Sequence, residues 1–377
     1  MMKSGRKVIA ILADYPYWNY FEGIAPESHP APWLSAMHRS FAEEKEGEFE
    51  LHWITLTKNV KKEHSKMVEG QYMHLLPTGS KTISQYLRYL PDRMKVARFL
   101  RRIKPDLLHA WGNESCYGIC AKDFKGKKLF SFQGALDGYA KRAAMPPFMV
   151  RQARFEREVL PAMPVITAES EWAMERVREL APQADVRLWE YAAESRFFNV
   201  QRRPDKQPMC MMLTSSSHIK NVPTAIAAFS RPELSHVKLC VAGVNPGTYG
   251  DVPENILLLG KLKREEISAY LCRAWAFIHP SLADTGPTAV KEARAVGLPC
   301  IVSSECGAKR YVVPDKSGYI IDPMNVEQLV DAVLKVTCDE EKSLSMGRYD
   351  YERCAHELSS LLMYNKIRSI YTEILSK

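Results

Sequence analysis

The sequence predicts an α/β protein with two Rossmann-like, doubly wound domains facing a cleft, followed by a long C-terminal helix. Three observations lead there. A length of 377 residues suggests two or three domains. Short apolar runs alternate with amphipathic helical stretches, the pattern of βαβ units and parallel sheets. The same pattern restarts near Pro208. A composition of 46% hydrophobic and 25% charged residues gives each half a normal core and excludes a disordered chain.

In the first half the strand-like runs are KVIAILA from Lys7, FELHWITL from Phe49, DLLHAW from Asp106, KLFSF from Lys128 and PVITA from Pro164. The stretch TISQYLRYLPDRMKVARFLRRI reads as an amphipathic helix among them. In the second half PMCMMLT, VKLCVAG, NILLLG, AFIHP and PCIVS read as buried strands. NVPTAIAAFS, REEISAYLCRAW and PTAVKEARAVG read as the helices between them. The join falls in ESRFFNVQRRPDKQP, where Pro and charge collect and periodicity is lost. The domains are therefore 1–195 and 205–355. From Tyr351 a helical pattern runs to Lys377, and residues 356–377 form a helix that packs on either domain or crosses back to the first.

The net charge of +8 permits an anionic partner without naming one. Nine irregularly spaced cysteines point to a reduced, cytosolic protein. Cys116 and Cys120 have no second Cys/His pair to complete a metal site. No apolar run approaches the roughly 20 residues that cross a bilayer. The basic lead and short apolar stretch of the N-terminus end at Asp14, which fits a first buried strand better than a signal peptide.

The informative segment is FIHPSLADTGPTAVKEARAVGLPCIVSS from Phe277, read as strand, loop, helix, strand. Asp284 lies in the loop, Gly286 and Pro287 follow, and Pro287 suits the first helical position. Glu292 falls one to two turns into the helix. Free N–H groups and the positive dipole end at such a terminus suit a diphosphate, and glycine allows a close approach. The two carboxylates can hold hydroxyls at two ends of an extended polar ligand. Taken alone, they read equally as an N-cap and a surface residue.

This segment resembles the C-terminal signature of glycosyltransferase family 4, of the GT-B fold: an acidic residue, seven residues, Glu-Ala, then Gly-Leu-Pro and a buried strand. Here these are Asp284, TGPTAVK, Glu292, Ala293, then Gly297, Leu298 and Pro299. The stretch CGAKRYVVPDKSGYIIDPMNVEQLVDAV continues the match, and KPDLLHAWGNES with FSFQGAL extends it more weakly into the first half. The resemblance implies a retaining enzyme that moves a sugar from a nucleotide-diphosphate sugar to a glycan or lipid-linked acceptor, in cell-surface polysaccharide synthesis. It implies that Asp284, Glu292 and Lys220 carry the reaction. Glu292 would bind the donor ribose, Asp284 the donor sugar and Lys220 the diphosphate. Ser215, Ser216, Leu262, Thr285, Gly286, Pro287 and Thr288 would complete the donor site.

The sequence departs from that family at several points. Ser215 stands where the family usually has an Arg, and Asp284 where Glu is commoner. Cys306, Gly307 and Arg310 replace a glycine pair and Glu, and Arg310 is placed either to restore positive charge or to face water. On the acceptor side, Gln133-Gly134 replaces a His-Gly step, and His109 closes an earlier strand as a cleft or structural residue. The aromatic loop DYPYWNYFEGIAPESHPAPW replaces a glycine pair, and its aromatics read either as stacking on an acceptor sugar or as packing the loop itself.

No Asp-x-Asp triad occurs, so no metal and no cofactor is expected, and Lys220 with helix amides would stabilise the leaving diphosphate. The expected partners are a nucleotide sugar and a saccharide acceptor, with no nucleic acid. The segment from Tyr86 to Lys104, where only Asp92 opposes seven basic residues, reads either as peripheral contact with the inner face of a membrane or as a solvated outer helix whose apolar side packs on the sheet. Other readings are a non-catalytic nucleotide-sugar binding protein and a GT-B sugar-nucleotide epimerase.

Overall fold

The computed structural model describes residues 5–25, 31–43 and 47–377 and divides into two units. The first comprises the chain up to Ala140, Pro146–Tyr191 and Ser360–Lys377. The second comprises Lys141–Met145 and Ala192–Ser359.

The first unit holds an eight-stranded sheet. Its strands are β1 (Lys7–Leu12), β2 (Phe49–Thr57), β3 (His64–Val68), β4 (Gln71–Pro77), β5 (Leu107–Trp111), β6 (Lys127–Phe132), β7 (Val165–Ala168) and β8 (Asp185–Leu188), in the order β3-β4-β2-β1-β5-β6-β7-β8. Only β3 is antiparallel among these described strands. Ile9 to Leu12 are fully buried, with Ile9 opposite Leu51 on one side and Leu107 on the other. A central parallel strand covered on both faces reads as an unbroken apolar run, which is why β1 is visible in sequence.

β3, β4 and β8 are not anticipated from the pattern. The β3–β4 hairpin turns on Glu69 and Gly70, both at positive φ (48° and 80°), between the paired Val68 and Gln71. That two-residue turn matches the twist of the strands it joins. The helix expected over 82–103 is two helices, Lys81–Tyr86 and Leu90–Ile103. Arg88 and Tyr89 between them are left-handed. Buried Tyr89 donates to Gln152 Oε1 at 2.8 Å, so a tertiary contact holds the break. Pro91 then lies in the first turn of the second helix, where a missing N–H costs nothing.

The second unit holds six parallel strands: β9 (Met209–Leu213), β10 (Lys238–Ala242), β11 (Ile256–Gly260), β12 (Ala276–His279), β13 (Cys300–Ser303) and β14 (Gly318–Ile321). Their order, β11-β10-β9-β12-β13-β14, is the Rossmann arrangement. Order reverses between β9 and β12, and the loops at the carboxyl ends of these two strands form the crevice where such sheets bind ligands. The equivalent point in the first unit lies between β1 and β5.

The C-terminal helical pattern is also two helices, Glu340–Glu357 and Ser360–Ser376. The first belongs to the second unit and the second to the first. Met363, Ile367, Ile370, Tyr371 and Ile374 are buried on the latter, and Trp189 Nε1 donates to the Met363 carbonyl at 3.0 Å.

Candidate active site

In the second unit the chain leaves β9 through the exposed Ser215 and Ser216, makes a short turn over His218–Lys220, and enters the helix Val222–Phe229 at Asn221. Asn221 is left-handed, with φ 56°. Its Nδ2 donates to the Pro280 carbonyl at 2.9 Å and the Pro323 carbonyl at 2.7 Å. The Leu282 amide bonds to the Ile219 carbonyl at 2.8 Å. The loops after β9 and β12 are thus tied together at the switch point. A third loop joins them: the Asp284 amide bonds to the Glu305 carbonyl, and the Gly307 amide to the Asp284 carbonyl at 2.8 Å.

These ties bring Lys220 and Asp284 into contact. Lys220 Nζ donates to Asp284 Oδ2 at 2.6 Å, and His279 Nε2 meets the same oxygen at 3.0 Å. Asp284 is 6% exposed. Burial alone would raise its pKa, but the Lys220 charge and the His279 hydrogen bond outweigh it and hold the carboxyl well below its usual range. Burial pushes His279 down, against the pull of Asp284. The site therefore holds a buried carboxylate already matched by one ammonium.

Glu292 lies on the helix Thr288–Val296, whose N-cap is Pro287 with ψ 113°. Pro287 therefore stands one position earlier than the sequence suggested, with Thr288 opening the helix. Thr285 and Pro287 are buried, whereas Gly286 and Thr288 are partly exposed beside that terminus. Glu292 is buried and accepts from Arg264 Nη2 at 2.6 Å. Arg264 also pairs with Glu194 and lies over the Phe197 ring, 4.8 Å from its centre. Burial raises the Glu292 pKa against the opposing Arg264 charge. Leu262, half-buried, precedes Arg264 by two residues. Exposed Arg310 lies 5.6 Å from the centre of the Tyr311 ring.

His279, Arg264 and Glu194 escaped the sequence reading. His279 ends an apolar strand, where a histidine is read as core. Arg264 and Glu194 meet Glu292 only through tertiary folding.

In the first unit His109 is not a ligand-facing residue. It is fully buried; Nδ1 meets Tyr371 Oη and Nε2 meets Ser131 Oγ, each at 2.7 Å. Burial lowers it to about 3, so it stays neutral and structural. Most of the aromatic loop also packs inward. Tyr15 Oη bonds to His38 Nδ1 at 2.9 Å, Tyr17 Oη to Thr57 Oγ1 at 2.8 Å, and Phe21 is buried. Residues 26–30 of that loop lie outside the described residues. Gln133 lines a cavity of about 300 Å3 with Asp14, Trp33, Trp111, Glu114 and Ser115, and Gly134 adjoins it through Glu114.

Residues 194–353 match the family model "Glycosyl transferases group 1". Over 124 residues, 33% of this chain, it is 27% identical to the UDP-Gal:alpha-D-GlcNAc-diphosphoundecaprenol alpha-1,3-galactosyltransferase of Escherichia coli. Over 127 residues, 32% of this chain, it is 31% identical to the amylovoran biosynthesis glycosyltransferase AmsK of Erwinia amylovora. Each match spans only 31% of the relative's own length. The fold likeness is wider. Sucrose-phosphate synthase from Thermosynechococcus elongatus superposes with a TM-score of 0.78 at 14% identity, covering 98% of this chain and all of that one. The matched region contains Lys220, Asp284 and Glu292: residues 194–353 are similar to the group 1 glycosyl transferases, and the two Rossmann-like units have the GT-B fold.

Proposed function

We propose that this protein is a retaining glycosyltransferase that takes a sugar from a nucleotide-diphosphate sugar bound on the second unit. The observation that carries this reading is the contact of Lys220 with Asp284 at the carboxyl ends of β9 and β12, with buried Glu292 one turn into the helix Thr288–Val296 that follows. Ribose hydroxyls would bind Glu292, which Arg264 holds in place. The diphosphate would lie against the amides near Thr288 and recruit Lys220 from its pairing with Asp284. Asp284 would then turn its acceptor capacity to the donor sugar. As the glycosidic bond breaks, charge grows on the diphosphate, and Lys220 with the fixed amide dipoles stabilises it without a divalent ion. The leaving phosphate would receive the acceptor hydroxyl's proton on the same face, which retains configuration.

The relatives' names point to lipid-linked and polysaccharide acceptors, and we extend that class to this chain. No helix among the described residues is long and apolar enough to cross a membrane. A peripheral position on the inner face fits the first unit: Ile83, Tyr86, Leu87, Leu90 and Met94 are each more than half exposed beside the basic helix Leu90–Ile103.

Incubating the purified chain with a panel of nucleotide sugars and acceptor glycosides, with and without a chelator, tests the reading. Free nucleotide and an α-linked product from an α-linked donor are expected, at the same rate with EDTA. Loss of transfer in EDTA and its return with magnesium or manganese would sink the metal-independent mechanism.

A further inference from the structure

Two donors converge on one oxygen of Asp284, and they differ in freedom. Lys220 Nζ and His279 Nε2 both meet Oδ2, at 2.6 and 3.0 Å. The Lys220 side chain is 28% exposed on a short turn, whereas that of His279 is 1% exposed at the end of β12. We propose that His279 is a positioning residue: it keeps Asp284 Oδ2 fixed when Lys220 turns to the diphosphate, so that Oδ1 meets a hydroxyl of the donor sugar in one orientation. The inference rests on the glycosyltransferase reading and adds to it a residue that acts on the sugar only through Asp284.

The proton arrangement at this contact follows from the carboxylate. An ionised carboxylate accepts and cannot donate, so His279 Nε2 carries the proton and donates it to Oδ2. Burial works against a second proton on the ring, which leaves Nδ1 as a bare acceptor. Nδ1 is buried and has no hydrogen-bond partner among the described residues. A buried acceptor without a partner destabilises a fold. The other residues of this strand, Ala276, Phe277 and Ile278, are apolar and fully buried, and an apolar side chain at position 279 would avoid that cost. What the histidine supplies and an apolar residue would not is the Nε2–H bond to Asp284.

The two donors also differ in what a diphosphate can take from Asp284. Lys220 is an ammonium on a flexible stem, and a diphosphate attracts it more strongly than a single carboxylate does. The imidazole is fixed by its strand, where His279 pairs with Val302 of β13, and a ring so buried has no space to swing away. With Lys220 displaced, Asp284 therefore keeps one side-chain bond at Oδ2. Its backbone ties to Glu305 and Gly307 hold the main chain but do not set the side-chain torsions. Removing His279 would let the carboxylate rotate, and the sugar contact would lose its fixed geometry.

The test is calorimetric titration of the full chain with UDP and GDP, and with UDP-glucose, UDP-galactose and GDP-mannose. For the donor that wild type binds best, His279→Leu should weaken nucleotide-sugar binding about tenfold and leave the affinity for the matching nucleoside diphosphate unchanged. His279→Gln, whose amide nitrogen donates in the place of Nε2, should restore most of the loss. Both affinities falling together, neither changing, or a Gln variant as weak as the Leu variant overturns the proposal. A measurement on wild type needs no variant to fold: nitrogen-15 NMR of histidine-labelled protein should show His279 in the Nε2–H tautomer, with and without UDP. The Nδ1–H tautomer overturns the proposal. No nucleotide binding by wild type sinks the donor reading and this inference with it, whereas nucleotide binding with an unchanged sugar contribution in His279→Leu counts against His279 alone.

Discussion

Lys220 and Asp284 neutralise each other across two loops, but they are unequally buried. The Lys220 side chain is 28% exposed and that of Asp284 only 9%. Removing the lysine therefore leaves the less hydrated partner uncompensated except by His279. Lys220→Met should cost ~2 kcal/mol of stability, below the usual loss for a fully buried pair because water reaches the lysine. Asp284→Asn in the same background should recover much of it. Urea unfolding of both single variants and the double variant gives the coupling; a double variant no more stable than Lys220→Met would refute the pairing. The pH dependence follows from the depressed Asp284 pKa. Its stabilisation is present above the ordinary carboxylate range, near pH 4, and is lost as pH falls through the lower folded value. Lys220→Met should move that acid loss upward in pH. Glu292 behaves differently, because Arg264 keeps Glu194 as a partner when Glu292 is removed. Glu292→Ala should thus leave the fold intact and weaken nucleotide-sugar binding about tenfold or more; unchanged affinity by calorimetry would remove Glu292 from the site.

The segment from Lys81 to Lys104 shows what sequence periodicity carries and what it omits. Its helical character and its apolar side, with Val96, Phe99 and Leu100 buried, were legible because 3.6-residue spacing records burial directly. The break at Arg88 and Tyr89 was not, since a contact from Gln152 holds it and nothing local announces it. Nor was the charge balance. Arg88 pairs with Glu158, Arg93 with Asp123 and Arg102 with Glu63, all from distant parts of the chain. The same limit explains the candidate site. Asp284 and Glu292 were named through the resemblance of their segment to a known signature, because spacing alone read equally as an N-cap and a surface residue. His279 and Arg264 act through neighbours that only the folded sheet supplies. For membrane contact the consequence is a change of emphasis, from basic charge toward exposed apolar side chains. Each of Tyr86, Leu87 and Met94 can contribute ~1.5–3 kcal/mol if fully buried in the interface, against about 1 kcal/mol per nearby basic residue. A Tyr86→Ser, Leu87→Ser, Met94→Ser variant should lose more sedimentation with anionic liposomes than Arg98→Gln with Arg101→Gln. It should also lose it at raised salt, where charge is screened. Equal recovery of wild type and apolar variant in the pellet would exclude insertion by this segment.

The chain folds its last helix into its first unit. Ser360–Ser376 therefore completes a core that begins with Lys7, more than 350 positions earlier. The join is specific. Tyr371, fully buried, bonds to His109; His109 bonds to Ser131, and Ser131 Oγ to Thr167 Oγ1 at 2.7 Å. This polar line crosses β5, β6 and β7 beneath apolar packing, and a neutral His109 satisfies it by donating at one nitrogen and accepting at the other. Tyr371→Phe keeps the ring and removes the hydroxyl, leaving one buried imidazole nitrogen without its partner. The expected cost is ~1–3 kcal/mol. Tyr371→Ala adds a cavity and should cost ~3–5 kcal/mol. Both losses should fall on the first unit, and the sequence provides a way to see this. Of seven tryptophans, all but Trp275 belong to that unit, so tryptophan fluorescence follows it almost alone. Tyr371→Phe should lower the fluorescence-detected unfolding midpoint by a few degrees, Tyr371→Ala by more. Nucleotide affinity, on the donor site proposed for the second unit, should remain at the wild-type value for Tyr371→Phe below that midpoint. A fall in nucleotide affinity that tracks the fluorescence shift would instead mean that the returning helix stabilises both units as one cooperative body.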